Sequence, residues 1–394
     1  MHADLSSAGL AELRERSGAA RDDAVRRLGL LVGLESPSGD AERLAALRTV
    51  LAEELAELDA IVEAVPGPAG DHLRADLGGP AVPGGNLLVV GHFDTVWPAG
   101  TLERRPFRVD GALAYGPGTV DMKGALVALE LAVRLMREMR LPFAQPVQVV
   151  LVCDEEVSSP DGRRPVLAAA ADAAAVLGLE PPHPGGDLKN GRRGVARVRL
   201  EVEGRESHAG LAATAGVSAI DELVDQLLML RHALADVASV SCNVGHIAGG
   251  TRANVVAGHA RAELGLRFGT RAAQQSVLAR LTELAPVRPG AEVRSTVLSS
   301  RPAWAPDPDS WIVAFVREQA ARLGERIGAR PAGGAGDTNF TGASGVPTVD
   351  GLGPNGRGAH AASEHVHIES ILRRAELLAL LFATPLPAPV TARP

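Results

Sequence analysis

The chain has 394 residues, of which 46% are apolar and 22% charged, and its formal net charge is -7. This length is enough for two domains with separate hydrophobic cores, and the acidic balance argues against nucleic-acid binding. No apolar run approaches the ~20 residues of a membrane span, the amino terminus lacks the apolar segment of a signal peptide, and the two cysteines provide no disulfide framework. We therefore predict a cytoplasmic protein that binds neither nucleic acid nor membranes.

Helical periodicity over Asp22–Leu34 and Asp40–Leu58 predicts two helices, with Ser38 or Asp40 as the cap of the second. A Gly- and Pro-rich segment follows, with a short predicted strand over 72–76. The apolar run Leu87–Val90 then predicts a buried strand.

The segment GHFDT follows this strand and contains His92 and Asp94. Their side chains point the same way because they lie two residues apart on extended chain. An imidazole beside a carboxylate suits a metal ligand and the partner that orients it. A lone His-x-Asp pair is nevertheless more often an ordinary strand end, so a metal site is predicted only if other segments supply further ligands.

Asp121 and Lys123 follow a Gly-rich turn and open a helix predicted over Asp121–Arg140. Helix capping is the simpler interpretation of Asp121. Lys123 is one of two lysines and Tyr115 is the only tyrosine, so both are conspicuous, although chance explains them equally well.

A second buried strand, over 146–153, precedes Glu155 and Glu156. Adjacent carboxylates at a strand end can divide the work, because one can bind a metal while its neighbour acts as a general base. A helix is predicted over Arg164–Ala174, and the next short strand ends at Glu180.

The pattern changes between Val195 and Ser299, where strands and amphipathic helices follow in the order β-α-β-β-α-β, which is typical of a ferredoxin-like domain. The α/β pattern resumes after it and brings His360 before a closing helix. We predict an α/β catalytic domain in two parts, 1–193 and 301–394, with an inserted domain at 194–300.

Imidazole and carboxylate groups recur after the predicted strands: His92, Asp94, Asp121, Glu155, Glu156, Glu180 and His360. Such donors without thiolates suit catalytic zinc, and manganese or cobalt are alternatives. One bridging carboxylate would hold two ions ~3.5–4 Å apart.

At this point the sequence resembles the co-catalytic di-zinc exopeptidases, which include glutamate carboxypeptidases and aminoacylases. The resemblance is greatest to the glutamate carboxypeptidases and spans nearly the full chain. The matching segments are GHFDT, GPGTVDMKG, DEE, GLEP, GRESHAG and GPNGRGAH. The resemblance implies a zinc-exopeptidase catalytic domain with an inserted lid domain that forms a homodimer.

The resemblance also implies roles for individual residues. It makes Asp121 the bridge between two zinc ions per subunit, and leaves open which ion Glu156 serves. His92 with Glu180, and His360 with Glu156, would complete the two ligand sets.

Further roles are implied around the metals. Asp94 would orient His92, and Glu155 would transfer a proton from the attacking water to the leaving amine. In the inserted domain, His208 would stabilise the oxyanion across the dimer. Arg267 would bind a substrate carboxylate, and Asn254 would contact the oxyanion or that carboxylate.

The resulting prediction is a metal-dependent hydrolase of small molecules that cleaves an amide next to a free carboxylate and releases a carboxyl-terminal amino acid such as glutamate. The alternative is an N-acyl amino acid deacylase of the aminoacylase or desuccinylase type. A nucleotide-binding α/β protein is disfavoured because the segment GPGTVDMKG lacks the GxGxxG and GK[ST] patterns of phosphate-binding loops, and a non-catalytic binding protein is disfavoured by the complete ligand set. The GAGD turn ending at Asp337 and the bulky Trp97 depart from the family pattern. The exact substrate, the native metal and the roles of Lys189 and Arg192 stay open.

Overall fold

A computed structural model describes residues 5–82, 85–235 and 237–387. The chain divides into two compact units. The first comprises the described parts of Met1–Gly191, Pro306–Ala332 and Gly336–Pro394, and the second those of Arg192–Ala305 and Gly333–Ala335.

The helices of the described residues are, in chain order, α1 Ser7–Ala19, α2 Arg21–Gly33, α3 Ala41–Glu57, α4 Thr101–Arg104, α5 Gly124–Glu138, α6 Arg163–Ala170, α7 Ala219–Ala235, α8 Arg271–Thr282, α9 Trp311–Arg322, α10 Thr338–Ala343 and α11 Ile368–Ala383. The strands are β1 Ile61–Val65, β2 His72–Gly78, β3 Asn86–His92, β4 Arg108–Asp110, β5 Leu113–Tyr115, β6 Val147–Val152, β7 Ala173–Gly178, β8 Leu188–Arg192, β9 Gly194–Glu203, β10 Ser207–His208, β11 Val240–Gly249, β12 Val255–Val256, β13 His259–Phe268, β14 Glu292–Arg301, β15 Ala329–Ala332, β16 Thr348–Val349, β17 Gly356–Arg357 and β18 His365–His367. Within these ranges, none of the helices has the length and apolar character needed to cross a bilayer.

The first unit is built on a six-stranded mixed sheet in the order β1-β2-β6-β3-β7-β16. Strands β6, β3, β7 and β16 are parallel, while β2 and β1 extend the sheet in antiparallel fashion. Alternate residues of β3 point into different cores: Leu87 and Val89 into the larger one, Leu88 and Val90 into the smaller. Helices therefore cover both faces of β3, which confirms the α/β prediction and explains why this strand is continuously apolar.

Two predicted helices have other bounds in the structure. The helix expected from Asp121 begins at Gly124, because Asp121 has φ -122° and ψ 88°, which are not helical. The alanine-rich helix α6 ends at Ala170, and Ala173 already pairs with Asn86 in the sheet. Tertiary pairing thus overrides the helix propensity of alanine there.

The amino-terminal region differs from the prediction in one helix and agrees in another. Helix α1 was not predicted, because only Leu13 and Ser17 of its residues are fully buried and its apolar periodicity is weak. Helix α3 is capped by Asp40, whose Oδ1 accepts the N–H of Arg43 at 3.2 Å.

The second unit has the order β9-α7-β11-β13-α8-β14 and one antiparallel four-stranded sheet, β11-β13-β9-β14. Alternate residues of β9, among them Val198 and Leu200, are buried against α7 and α8. This is the predicted β-α-β-β-α-β arrangement. Strand β11 lies at the sheet edge and is exposed along most of its length.

A buried ion pair joins α2 to α5, the helix that follows Asp121. Arg27 donates two hydrogen bonds, both 2.7 Å, to the carboxylate of Glu130, which is 3% exposed.

Arg27→Met should lower the free energy of unfolding by ~3–5 kcal/mol, because Glu130 would keep a buried charge without its partner. Urea unfolding would measure this. The control is Arg26→Met, which removes an exposed pair with Asp23 and should cost less than ~1 kcal/mol; equal effects would contradict the buried-pair explanation.

Candidate metal centre

Three neighbouring parallel strands bring their carboxyl ends to one edge of the sheet. His92 is the last residue of β3, Glu155 and Glu156 follow β6, and Glu180 follows β7. Strands β6 and β7 flank β3 on its two sides, so segments far apart in sequence end side by side. This edge is where open α/β sheets place their sites.

Asp121 contacts two groups of candidate ligands. Its Oδ1 lies 3.2 Å from His92 Nε2, and its Oδ2 lies 3.3 Å from His360 Nε2. His92 Nε2 is also 3.5 Å from Glu180 Oε1, and His360 Nε2 is 3.1 Å from Glu156 Oε2. In each group of three, one ligand atom per residue lies within 4.8 Å of the others.

The donor set fits a pair of divalent cations. The groups offer imidazole nitrogen and carboxylate oxygen only, which suits a catalytic site for zinc or a similar ion. Glu156 Oε1 is buried and has no hydrogen-bond partner among the described residues. A buried acceptor of this kind is costly unless something pairs with it, and a cation would satisfy it.

The titration of these side chains reflects mutual charge compensation. Burial would raise the pKa of Asp121, but its contacts with His360 and His92 lower it below its ordinary value. Contacts with Asp121 and Glu156 raise the pKa of His360 to about 10. Burial would lower the pKa of His92, but Asp121 and other carboxylates raise it well above its usual value. Positive charge on the two imidazoles would thus offset part of the negative charge of the carboxylates, as bound cations would do.

Asp94 positions more than the imidazole for which it was predicted. Its Oδ1 accepts the N–H of Glu155 and its Oδ2 that of Glu156, both at 3.1 Å, and Ser38 Oγ donates to Oδ2 at 2.6 Å. His92 Nδ1 is nearer to the main-chain oxygen of Asp94, 3.0 Å, than to the carboxylate, 3.4 Å. When His92 is neutral, donation from Nδ1 leaves the Nε2 lone pair available to a cation held beside Asp121.

Glu155 lies in a short turn with its side chain largely buried; the residue is 7% exposed. The turn is held by Asp94, so Glu155 and its neighbour Glu156 start from backbone positions that one carboxylate fixes. This is the arrangement expected if the two glutamates have different tasks.

Glu364 was missed by the sequence analysis. Its carboxylate accepts the N–H groups of Gly118 at 2.9 Å, Val120 at 3.1 Å and Asp121 at 3.2 Å, and the indole N–H of Trp97 at 2.7 Å. It thereby holds the turn that carries Asp121. Nothing in the segment SEHVH distinguishes this glutamate from a surface residue, because its partners come from other parts of the chain.

Lys123 was conspicuous in the sequence, and the structure gives it a structural role. Its Nζ donates to the main-chain oxygens of Leu31, 3.0 Å, and Leu34, 2.8 Å, at the end of α2. Burial lowers its pKa to about 7. A compact ammonium thus anchors the turn after Asp121 to a helix terminus.

The residues whose roles stayed open are buried or partly buried. Lys189 Nζ lies 3.9 Å from Glu180 Oε2, so it adds positive charge beside a candidate ligand. Arg192 donates to the main-chain oxygen of Gly334 at 3.2 Å. Asp337, at the end of the GAGD turn, accepts a hydrogen bond from Ser159.

Three predicted site residues, His208, Asn254 and Arg267, belong to the second unit, and all are exposed. His208 Nδ1 accepts the N–H groups of Gly210 and Leu211, each at 3.1 Å. The neutral ring therefore carries its proton on Nε2, which leaves an N–H donor facing outward. The main-chain oxygen of Asn254 accepts the N–H of Ala209 at 2.9 Å, and Arg267 projects from β13.

The fold and the paired imidazole–carboxylate groups define the class of the protein: a hydrolase with a candidate dinuclear metal site. Residues 88–384 match Peptidase family M20/M25/M40. The chain is 31% identical over 369 residues to Carboxypeptidase G2 of Pseudomonas sp. (strain RS-16), spanning 91% of this chain and 88% of that protein. It is 31% identical to a succinyl-diaminopimelate desuccinylase of Leptothrix cholodnii, spanning 83% and 90%.

A structural comparison agrees in fold. The aminopeptidase PepT of Bacillus cereus superposes with a TM-score of 0.76 at 21% identity, covering 92% of this chain and 98% of that one. The chain belongs to Peptidase family M20/M25/M40. The predicted class, a metallopeptidase or amidohydrolase, is confirmed, and the cytoplasmic location stays a prediction.

Metal binding should release protons, because His92 and His360 have raised pKa values in the metal-free protein. The pKa of His360 is about 10, so this imidazole carries a proton at pH 8 that metal binding should displace, and affinity should rise with pH toward that pKa. Calorimetric titration of zinc in buffers of different ionisation enthalpy measures the number of protons released. His360→Asn should reduce it by about one; binding without proton release would contradict the assignment.

Proposed function

We propose that the chain hydrolyses an amide bond next to a free carboxylate and releases a carboxyl-terminal amino acid such as glutamate. The single observation that carries the proposal is the two-sided contact of Asp121 with His92 and His360, with Glu155 beside it on the same sheet edge. The similarity to Carboxypeptidase G2 supports this direction of cleavage.

His92 and Glu180 would hold one divalent cation, His360 and Glu156 the other, and Asp121 both. Zinc is the proposed metal, with manganese or cobalt as alternatives that the same donors accommodate. Two such cations polarise a carbonyl group and lower the pKa of water when bound.

The chain's own residues supply the remaining steps. Glu155 accepts the proton of the attacking water and donates it to the leaving amine. In the second unit, His208 donates from Nε2 to the oxyanion, and Arg267 pairs its guanidinium with the substrate carboxylate. Asn254 is proposed to add a contact to the oxyanion or to that carboxylate.

The second unit is proposed to form a homodimer. Among the described residues no strand pairs with the outer side of β11, and this exposed sheet edge includes Val244 and Ile247. Exposed apolar residues of α7, among them Leu228 and Met229, add to the apolar surface of this unit. An edge of this kind is normally paired or protected, and a second copy can pair with it through the same surface.

A second candidate function is N-acyl amino acid deacylation, which the similarity to the desuccinylase favours. The two functions use the same cleavage chemistry and differ in which side of the amide determines the choice of substrate. They are separated by varying the acyl group and the amino acid independently.

The function is tested by measuring free amino acid released from N-acyl and peptidyl conjugates of Glu, Asp, Gln, Leu and Phe with added zinc. We expect all glutamate conjugates to react, whatever their acyl group. Glu155→Gln should keep its bound metal, measured by elemental analysis, and lose ~10²–10⁴-fold in kcat because the proton acceptor is removed.

The matched control is Glu53→Gln, which changes an exposed glutamate on α3 and should leave kcat unchanged. Retained activity in Glu155→Gln would exclude its role as the base. Release that follows the acyl group instead of the amino acid would favour the deacylase.

The shared site is tested by mixing two inactive variants, His208→Ala and Glu155→Gln. If one subunit's Glu155 works with the partner subunit's His208, each heterodimer contains one intact site. Statistical exchange after mild dissociation should then restore about a quarter of wild-type activity, measured on the best substrate of the panel. A mixture as inactive as its components would place both residues of a site in one chain.

A further inference from the structure

A cavity of about 180 Å³ in the first unit has no role in the proposed mechanism. Two aromatic rings, Trp97 and Tyr115, and three arginines, Arg104, Arg105 and Arg108, line it. Trp97 is one of three tryptophans, and Tyr115 is the only tyrosine of the chain. The cavity therefore gathers residues that the sequence makes conspicuous and the metal chemistry leaves unexplained.

Each ring carries a guanidinium on its face. The central carbon of the Arg105 guanidinium lies 4.8 Å from the Trp97 ring centre, and that of Arg108 lies 3.8 Å from the Tyr115 ring centre. Stacking of this kind fixes the plane of a guanidinium and leaves its N–H groups available at the edge. The rings thus hold the guanidinium groups in place and leave their N–H groups available to an acceptor.

Arg105 has a donor that lacks an acceptor. Its Nη1 is buried and makes no hydrogen bond with any of the described residues. A buried donor left in this state costs free energy, so an acceptor that enters the cavity would be bound more tightly than the same group in solution.

The charge of the cavity points to an anion. Glu364 is the acidic residue of its wall, and this carboxylate already accepts four hydrogen bonds from Trp97 and the turn before α5. Arg108 also lies 3.7 Å from the exposed Asp110, which offsets its charge. The positive charge of the cavity therefore comes mainly from Arg104 and Arg105. A planar carboxylate matches the fork of a guanidinium and forms charge-assisted hydrogen bonds with it.

Residues of the cavity wall adjoin the candidate metal centre. Ala361 and Ala362 of the wall directly follow His360. The N–H of Asp121 donates at 3.2 Å to Glu364, another residue of the wall. This proximity is what would let one molecule place a group in the cavity and an amide at the metal centre.

We propose that this cavity is the subsite for a second carboxylate, carried by the acyl part of the substrate, and that Arg105 recognises it. The volume is below the ~300–1,000 Å³ of pockets that enclose a whole small molecule, so it takes one end of the substrate. The proposal rests on the proposed amide hydrolysis and adds a preference on the acyl side of the bond.

The kinetic test compares two substrates that differ in one carboxylate, an N-(4-carboxybenzoyl) and an N-benzoyl conjugate of the amino acid that the panel identifies. The wild type should have an about tenfold lower KM for the first, as expected for a charge-assisted hydrogen bond. Arg105→Met should abolish this difference, so that the ratio of the two KM values falls to about one. Arg105→Lys, which keeps the charge without the fork, should retain part of the difference.

The control is Arg163→Met, an exposed arginine on α6, which removes the same charge and should keep the full preference. An unchanged KM ratio in Arg105→Met would overturn the proposal, as would a wild type that does not distinguish the two substrates.

A binding measurement separates failure of the subsite from failure of the hydrolytic function. Zinc-loaded protein is titrated calorimetrically with 4-carbamoylbenzoate and with benzamide, which differ only in the carboxylate. We expect about tenfold tighter binding of the first, lost in Arg105→Met and kept in Arg163→Met. If the carboxylate-dependent binding is observed but no amide is hydrolysed, the proposed function is wrong and the carboxylate site is supported. If amides are hydrolysed but Arg105→Met binds both fragments like the wild type, the subsite falls and the function stands.

Discussion

The candidate centre depends on one carboxylate that faces two ways. Asp121 has one oxygen near His92 and the other near His360, so a small rotation of its side chain would improve one contact and lose the other. Its backbone must therefore be held firmly. Glu364 does this by accepting hydrogen bonds from the N–H groups of Gly118, Val120 and Asp121 in the turn. Lys123 connects the same turn to the end of α2.

Asp94 has a corresponding function for the turn that carries Glu155 and Glu156. It links the end of β3 to the turn after β6 by accepting the N–H groups of Glu155 and Glu156. The two buried carboxylates of Asp94 and Glu364 thus accept hydrogen bonds from backbone N–H groups. They thereby fix the segments that carry candidate ligands. Partners of this kind fix the orientation of metal ligands and are as necessary to a site as the ligands themselves.

Specificity has a different origin from the cleavage chemistry. The parallel strands position His92 and the glutamates that follow β6 and β7. In the proposed function, the choice of substrate would depend on groups that reach the two ends of the molecule: the exposed Arg267 of the second unit, and the stacked arginines beside Trp97 and Tyr115. Arg267 lies on β13, Arg108 on β4 and Arg105 directly after α4, all outside the central sheet, so they can vary without disturbing it.

The sequence by itself determined the α/β class, the β-α-β-β-α-β order of the second unit and the candidate ligands, because each rests on local periodicity or on a motif at a strand end. It did not determine where α5 begins, since the backbone at Asp121 is bent by contacts with distant segments. Only the tertiary structure decided the partners of Asp94, the role of Glu364 and the cavity around Arg105. The contacts of Asp94 and Glu364 join distant parts of the chain, 61 residues apart for Asp94 and Glu155 and 244 for Glu364 and Val120, and no local pattern encodes such a contact.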